Sequence, residues 1–240
     1  MGAPDVSIVI PVYNEEGIIS ASLSDLREKL QDVDFTYEII VAENGSTDAT
    51  VRIAEDFSTR HPEVRVMSIG EPNYGKALRR GILEARGKYV ICDEIDLCDV
   101  DFYRVAMEKL REDDYDLVVG SKRAPGARDR RPAYRRMATQ VLNGMLRVAT
   151  GFKGTDTHGL KAFERSKVLH VVEACVVDRD MFASELVVRA HRDDRVKWCE
   201  VPIDLVEKRP PSVHLFRRVP NVLKNMVRLT SVIRFGRDLK

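Results

Sequence analysis

The chain has 240 residues, 44% hydrophobic and 32% charged, with a formal net charge of +1. That is an ordinary globular composition with enough apolar residues for a substantial core, and no run approaches the ~18 apolar residues of a membrane-spanning helix. The near-neutral total hides a division: residues 1–120 hold 13 Lys/Arg against 25 Asp/Glu, whereas residues 121–240 hold 26 against 13.

The second half is therefore expected to seek anions. Its basic residues are not interleaved with aromatics and form no nucleic-acid module, so phosphorylated small molecules or an anionic membrane surface fit better than nucleic acid. Residues 1–5 lead into the first apolar run without a signal-peptide profile, which points to a cytoplasmic protein. Cys92, Cys98, Cys175 and Cys199 lack CxxC spacing and read as buried thiols rather than as a zinc or disulfide framework.

Short apolar runs alternate with helix-patterned segments from the start. Val6 to Val12 precedes Ile18 to Leu30, Tyr37 to Ala42 precedes Ala49 to Phe57, and Val64 to Ile69 precedes Tyr74 to Ala85. Tyr89 to Cys92, a helical stretch from Phe102 to Leu110 and the run Leu117 to Gly120 continue the pattern. This is the signature of an α/β fold with a mostly parallel sheet, which binds ligands at the carboxyl ends of its strands.

Those ends carry the chemistry. The first run ends in Pro11-Val12-Tyr13-Asn14-Glu15-Glu16, where an aromatic ring beside carboxylates suits a nucleobase. The second ends in Glu43-Asn44-Gly45-Ser46-Thr47-Asp48; Thr47 and Asp48 read as helix caps, while Glu43 could accept base or ribose hydrogens. Lys76, after Asn73-Tyr74-Gly75, either meets a phosphate or is simply solvated. No GxGxxG or GxxxxGK[ST] occurs, which disfavours a Rossmann dinucleotide site and a P-loop. The fourth run empties into Asp93-Glu94-Ile95-Asp96, with Asp99 and Asp101 close behind. So many carboxylates repel one another unless a divalent cation such as Mg²⁺ or Mn²⁺ gathers them; the plain alternative is a solvated acidic loop.

In this order, the motifs resemble the family-two glycosyltransferases of the GT-A fold, through Pro11 to Glu16, Glu43 to Asp48, Asn73 to Lys76, the acidic step, and Gly120-Ser121-Lys122-Arg123. Thr155 to Phe163, Phe182 to Leu186 and Glu200 to Ile203 are similar to the branch that glycosylates polyprenyl phosphates, the dolichol-phosphate mannose synthase type. The resemblance implies a GT-A domain over residues 1–210, with a nucleotide-sugar half (1–120) and an acceptor half (121–210), followed by a basic amphipathic helix at 211–240. It implies a donor site of Pro11, Tyr13, Glu15, Glu43, Asn44, Lys76, Glu94, Ile95, Asp96, Lys122 and Arg123. Counted from Gly87, Glu94 and Asp96 are its DXD-type metal pair, with Glu94 in place of the usual aspartate. Asp93 then falls where the family has an apolar residue, and either points away from the donor or adds a ligand.

The implied reaction inverts the anomeric carbon as a sugar leaves a nucleoside diphosphate, and the acceptor decides whether a base is needed. A hydroxyl requires a carboxylate, for which Glu185 or Asp156 is the candidate beside the catalytic Asp96; a lipid phosphate is already anionic and requires cations instead. Ala183 stands where an aspartate is common, which favours the phosphate. Arg131, Arg135, His158, Gly159 and Lys161 are the acceptor-side candidates. Most arginines between Gly126 and Arg136 fit a solvated loop equally well, and His158 beside a glycine fits a structural turn. A catalytically weak nucleotide-sugar-binding subunit stays open as a second alternative. From Leu215 to Ile233, apolar residues recur at helical spacing between basic ones, so this helix either packs on the core or meets a membrane interface.

Overall fold

The computed structural model describes residues 2–205 and 215–236. Its main sheet has seven strands in the order β3-β2-β1-β4-β7-β5-β8. In sequence these are β1 (Val6–Val12), β2 (Tyr37–Glu43), β3 (Val64–Ser68), β4 (Tyr89–Cys92), β5 (Leu117–Ser121), β7 (Lys161–Glu164) and β8 (Trp198–Pro202). A small second sheet pairs β6 (Arg128–Asp129) with β9 (Asp204–Leu205). The helices are α1 (Ile19–Lys29), α2 (Thr50–Arg60), α3 (Tyr74–Glu84), α4 (Val100–Arg111), α5 (Ala133–Thr150), α6 (Arg165–Ala174), α7 (Phe182–Arg192) and α8 (Leu215–Phe235).

β1 to β5 follow the sequence pattern to within about one residue at most ends. β1 shows why it is a central strand. Every residue of it is buried, with Val6, Ile8, Ile10 and Val12 on one face and Val9 on the other, because a strand covered on both sides has no solvent face to make polar. α1, α2 and α4 cover the first face; α3, α6 and α7 cover the second.

One strand runs against the rest. β7 inserts between β4 and β5 and is antiparallel to both, pairing Cys92 with Lys161 and Val119 with Lys161. The two halves of the sequence therefore share one sheet, and Lys161 arrives beside the acidic step. The join is tight: a Cβ on Gly159 would stand 1.5 Å from the Gly120 carbonyl oxygen, so only glycine allows this approach. Gly159, expected on the acceptor side, thus has a packing reason of its own.

α5 is the largest departure from the expected layout. Arg135 and Arg136 lie in its first turn rather than in a loop. α8 packs the stripe predicted for it, Val222, Met226, Leu229 and Ile233, against Leu142, Leu146 and Ala149 of α5 and against Val177 and Met181. Leu215 and Val219 belong to the same helix, and positions 211–214, expected to begin it, lie outside the described residues. Pro220 is the sixth residue of α8, so the helix forgoes one backbone hydrogen bond there. Cys92, Cys98 and Cys175 are buried free thiols, but Cys199 is partly exposed.

Candidate active site

The crevice lies where β1, β2, β4 and β5 end, and hydrogen bonds between loops shape its donor side. Asn14, in the left-handed region at φ 53°, receives the Thr47 amide on Oδ1 at 2.8 Å and donates its own amide to Ser46 Oγ at 3.0 Å. Asp48 is not itself the cap of α2, which begins after Ala49; it accepts from the Thr50 amide at 3.0 Å and from the Glu16 amide at 3.2 Å. Asn44 Nδ2 donates to the Val12 carbonyl at 2.9 Å. Pro11 is buried within β1, Glu15 is buried just beyond it, and Tyr13 is half-buried at the rim.

Glu43 receives a different task from the one expected. It is 1% exposed, and its two oxygens accept from the Ser46 amide and from Ser68 Oγ. It closes the β2 turn against β3. Lys76 is exposed and paired with Glu71, while its amide is held by the α3 cap, Asn73 Oδ1, at 3.0 Å.

At the end of β4, side chains alternate between core and crevice. Asp93, Ile95 and Cys98 are buried, Asp96 is half-exposed and Glu94 is exposed. Glu94 nonetheless titrates high, first because protein surrounds it and then because Asp96 repels its charge; Lys122, Lys161 and Arg131 act in the opposite sense. Carboxylates whose charge is offset by cations from the second half of the sequence suit a group that carries both signs, such as a metal diphosphate. Among the described residues, no three His, Cys, Asp or Glu side chains converge into a metal cage. A pair of carboxylates suits Mg²⁺ or Mn²⁺ held jointly with phosphate oxygens and water.

Sequence reasoning passed over Tyr74. Its phenol titrates high through burial and the charges of Glu94, Cys92, Asp93 and Asp96, so the first residue of α3 feels the field of the acidic step. The signal was its place directly after the cap residue Asn73.

The cationic wall is built from β5, β7 and the segment between them. Lys122 Nζ lies 3.6 Å from Asp156 Oδ2, and Lys161, 2% exposed, donates to the Gly159 carbonyl at 2.7 Å. Arg131 makes a bidentate pair with Asp129 at 2.9 and 2.7 Å. Arg123 is exposed and Arg135 partly so. His158 Nδ1 sits 3.2 Å from both Thr157 Oγ1 and Ser184 Oγ.

Neither candidate base is placed for proton abstraction. Glu185 is fully buried: Oε2 accepts from the amides of Val176 and Val177 at 2.9 and 2.6 Å, and Oε1 pairs with Arg189 at 2.7 Å. It fastens the segment before α7. Asp156 is also fully buried; burial works against its charge, yet Lys122 and the His158 amide hold its pKa below the usual value. A carboxylate so stabilised is a weak proton acceptor.

Known proteins match this arrangement. The profile of Glycosyl transferase family 2 covers residues 7–172. The glycosyltransferase AglD of Haloferax volcanii is 30% identical over 90% of this chain and 35% of its own length. A dolichyl-phosphate beta-glucosyltransferase of Dictyostelium discoideum is 28% identical over 82% of the chain and 67% of its own length. The undecaprenyl-phosphate 4-deoxy-4-formamido-L-arabinose transferase of Proteus mirabilis is 30% identical over 70% of the chain and 50% of its own length. The chain thus spans only about a third to two thirds of these relatives.

Among solved structures, glucosyl-3-phosphoglycerate synthase of Mycobacterium tuberculosis with UDP superposes at a TM-score of 0.66 with 21% identity, covering 95% of this chain and 80% of that one. A mannosyltransferase of Pyrobaculum calidifontis with GDP-Man and Mn²⁺ gives 0.62 with 20% identity, covering 100% and 67%. At that identity they establish the fold, GT-A. With its fold, its strand-end motifs and most of its length accounted for, the chain belongs to glycosyl transferase family 2, beside that family's polyprenyl-phosphate sugar transferases.

Proposed function

We propose that the protein transfers a sugar from a nucleoside diphosphate sugar to a polyprenyl phosphate, with inversion at the anomeric carbon. The observation that carries the reading is the commitment of Glu185 and Asp156 to internal partners, while the charges of Lys122, Lys161 and Arg131 act on Glu94. A phosphate acceptor brings its own negative oxygen, so it needs the cations and not the base. Glu94 and Asp96 are the residues to hold a divalent ion, and Mg²⁺ or Mn²⁺ there would supply charge neutralisation for the departing diphosphate. Lys122 and Lys161 orient the phosphate groups and offset their charge within the crevice. Relatives named for dolichyl and undecaprenyl phosphate support the acceptor class. Structures solved with UDP and with GDP-Man leave the nucleotide to experiment.

The same reading brings the acceptor side to a lipid surface. Eight large apolar side chains stand exposed on two helices that pack together: Tyr134, Met137, Val141, Met145 and Val148 on α5, and Leu223, Val227 and Phe235 on α8. Among the described residues no helix is long and apolar enough to cross a membrane. An interfacial contact at this face, aided by the basic residues beside it, would present a lipid-borne phosphate to the crevice from the cytosolic side.

The test offers a panel of sugar nucleotides with Mg²⁺ or Mn²⁺ and either a short polyprenyl phosphate or the matching polyprenol, with products read by mass. Glycolipid from the phosphate alone is expected. Product from the alcohol, or from soluble hydroxyl acceptors only, overturns the acceptor assignment.

A further inference from the structure

The side chain of Asp93 lies beneath the acidic step, where burying a carboxylate is costly unless it is well bonded. It is 2% exposed, and its backbone amide still donates to the Val9 carbonyl at 3.1 Å, continuing the β1 ladder past the end of β4. Its Oδ1 accepts from the Glu94 amide at 2.5 Å, and its Oδ2 accepts from the Asp99 amide at 3.1 Å and from the hydroxyl of Tyr103. Tyr103 is fully buried in α4. Asp99 in turn caps α4, accepting from the Phe102 amide at 3.0 Å.

Between those two bonded amides lies a single turn. The amides of Leu97 and Cys98 donate to the Glu94 carbonyl at 2.9 and 3.2 Å, and Cys98 adopts φ 46°. Ile95 and Cys98 pin the turn to the core from within. One buried carboxylate therefore holds the first and last amides of the segment that displays Glu94 and Asp96, and a tyrosine hydroxyl holds the carboxylate.

We propose that Asp93 and Tyr103 are positioning residues for the metal pair: they fix the turn so that Glu94 and Asp96 present their oxygens to a cation shared with the donor diphosphate. The inference rests on the donor-site reading above. An apolar residue at position 93 could pack as well but could accept neither amide. The longer Glu94 side chain makes backbone placement more important, because one further rotatable bond must be held in a productive direction.

The experiment compares wild type, Tyr103→Phe and Asp93→Leu. Mn²⁺ binding is followed by electron paramagnetic resonance in saturating UDP and, separately, GDP; amide hydrogen exchange and thermal melting are followed without metal. Tyr103→Phe keeps the ring and is expected to fold, with Mn²⁺ affinity lowered about tenfold or more and faster exchange at the amides of Glu94 and Asp99. Activity should return towards wild type as Mn²⁺ is raised. Asp93→Leu should show the same changes, larger. Mn²⁺ affinity of folded Tyr103→Phe within about twofold of wild type overturns the inference, even if melting shifts. Wild type that binds Mn²⁺ with neither nucleotide overturns the donor-site reading itself, and this inference with it.

Discussion

Lys161 reaches the acidic step from the antiparallel strand β7, buried between Cys92 and Val119. Burial lowers its pKa to about 8, against the upward pull of Cys92, Asp156 and Glu94. Between pH 8 and the unfolded value of 10.5, the unfolded chain keeps a proton that the folded one has released, so this group adds stability as pH rises through that window. Lys161→Met lacks the effect. The variant is expected to melt higher than wild type at pH 7 and to lose that advantage by pH 10, as paired melting curves at the two pH values would reveal. Asp96→Asn takes the charge from a proposed metal ligand and is expected to lower kcat/KM by about 100-fold or more, with melting unchanged. Glu185→Gln separates the two acceptor readings. With Glu185 fastening Val176 and Val177, the variant should lose about 1–3 kcal/mol of stability, while kcat per folded molecule stays within a few-fold of wild type. Denaturant titration and active-fraction kinetics check both. Strand-end position and charge marked the acidic step, and the family resemblance singled out Glu94, Asp96 and the cationic residues within it and beyond. The sequence could not separate Glu43 or Glu185 from them, because a carboxylate bonded to internal amides and one facing a crevice are the same letter.

At the scale of elements, the first half was legible because local order and spatial order agree there: each strand is followed by the helix that covers it. β7 was not, since four residues containing a buried lysine carry no strand pattern and their partners lie far away in sequence. α5 was hidden for another reason. Tyr134, Met137, Val141, Met145 and Val148 are exposed, while polar Asn143 and Thr150 are buried beside Leu146, so its pattern is mixed. α8 was legible, and its inner stripe packs as the spacing indicated. Leu229 is fully buried there, and Leu229→Ala is expected to cost about 2–4 kcal/mol, measurable by denaturant titration. Arg234 donates to the carbonyls of Val148 and Ala149, satisfying the end of α5 and keeping the two outward faces side by side.

For the molecule as a whole, the division of charge along the chain meets at the end of β4, where Lys122, Lys161 and Arg131 from the second half offset the charge of Glu94. The exposed face of α5 and α8 adds a third character. Co-sedimentation with vesicles containing anionic lipid is expected for the full chain and should weaken as salt is raised. Val141→Glu combined with Val227→Glu, both at exposed positions, should lower the bound fraction about tenfold without moving the melting temperature. Equal binding by the double variant would exclude this face as the contact.

The insertion of β7 also orders events during synthesis. β4 gains β1 on one side once residue 92 has been made, but its other side stays bare until residues 161–164 emerge and pair with it. A nascent chain therefore carries an open strand edge next to its acidic turn while residues 93–160 are being made. Any fragment ending before Lys161 keeps that edge and is expected to join other copies through it rather than remain monomeric.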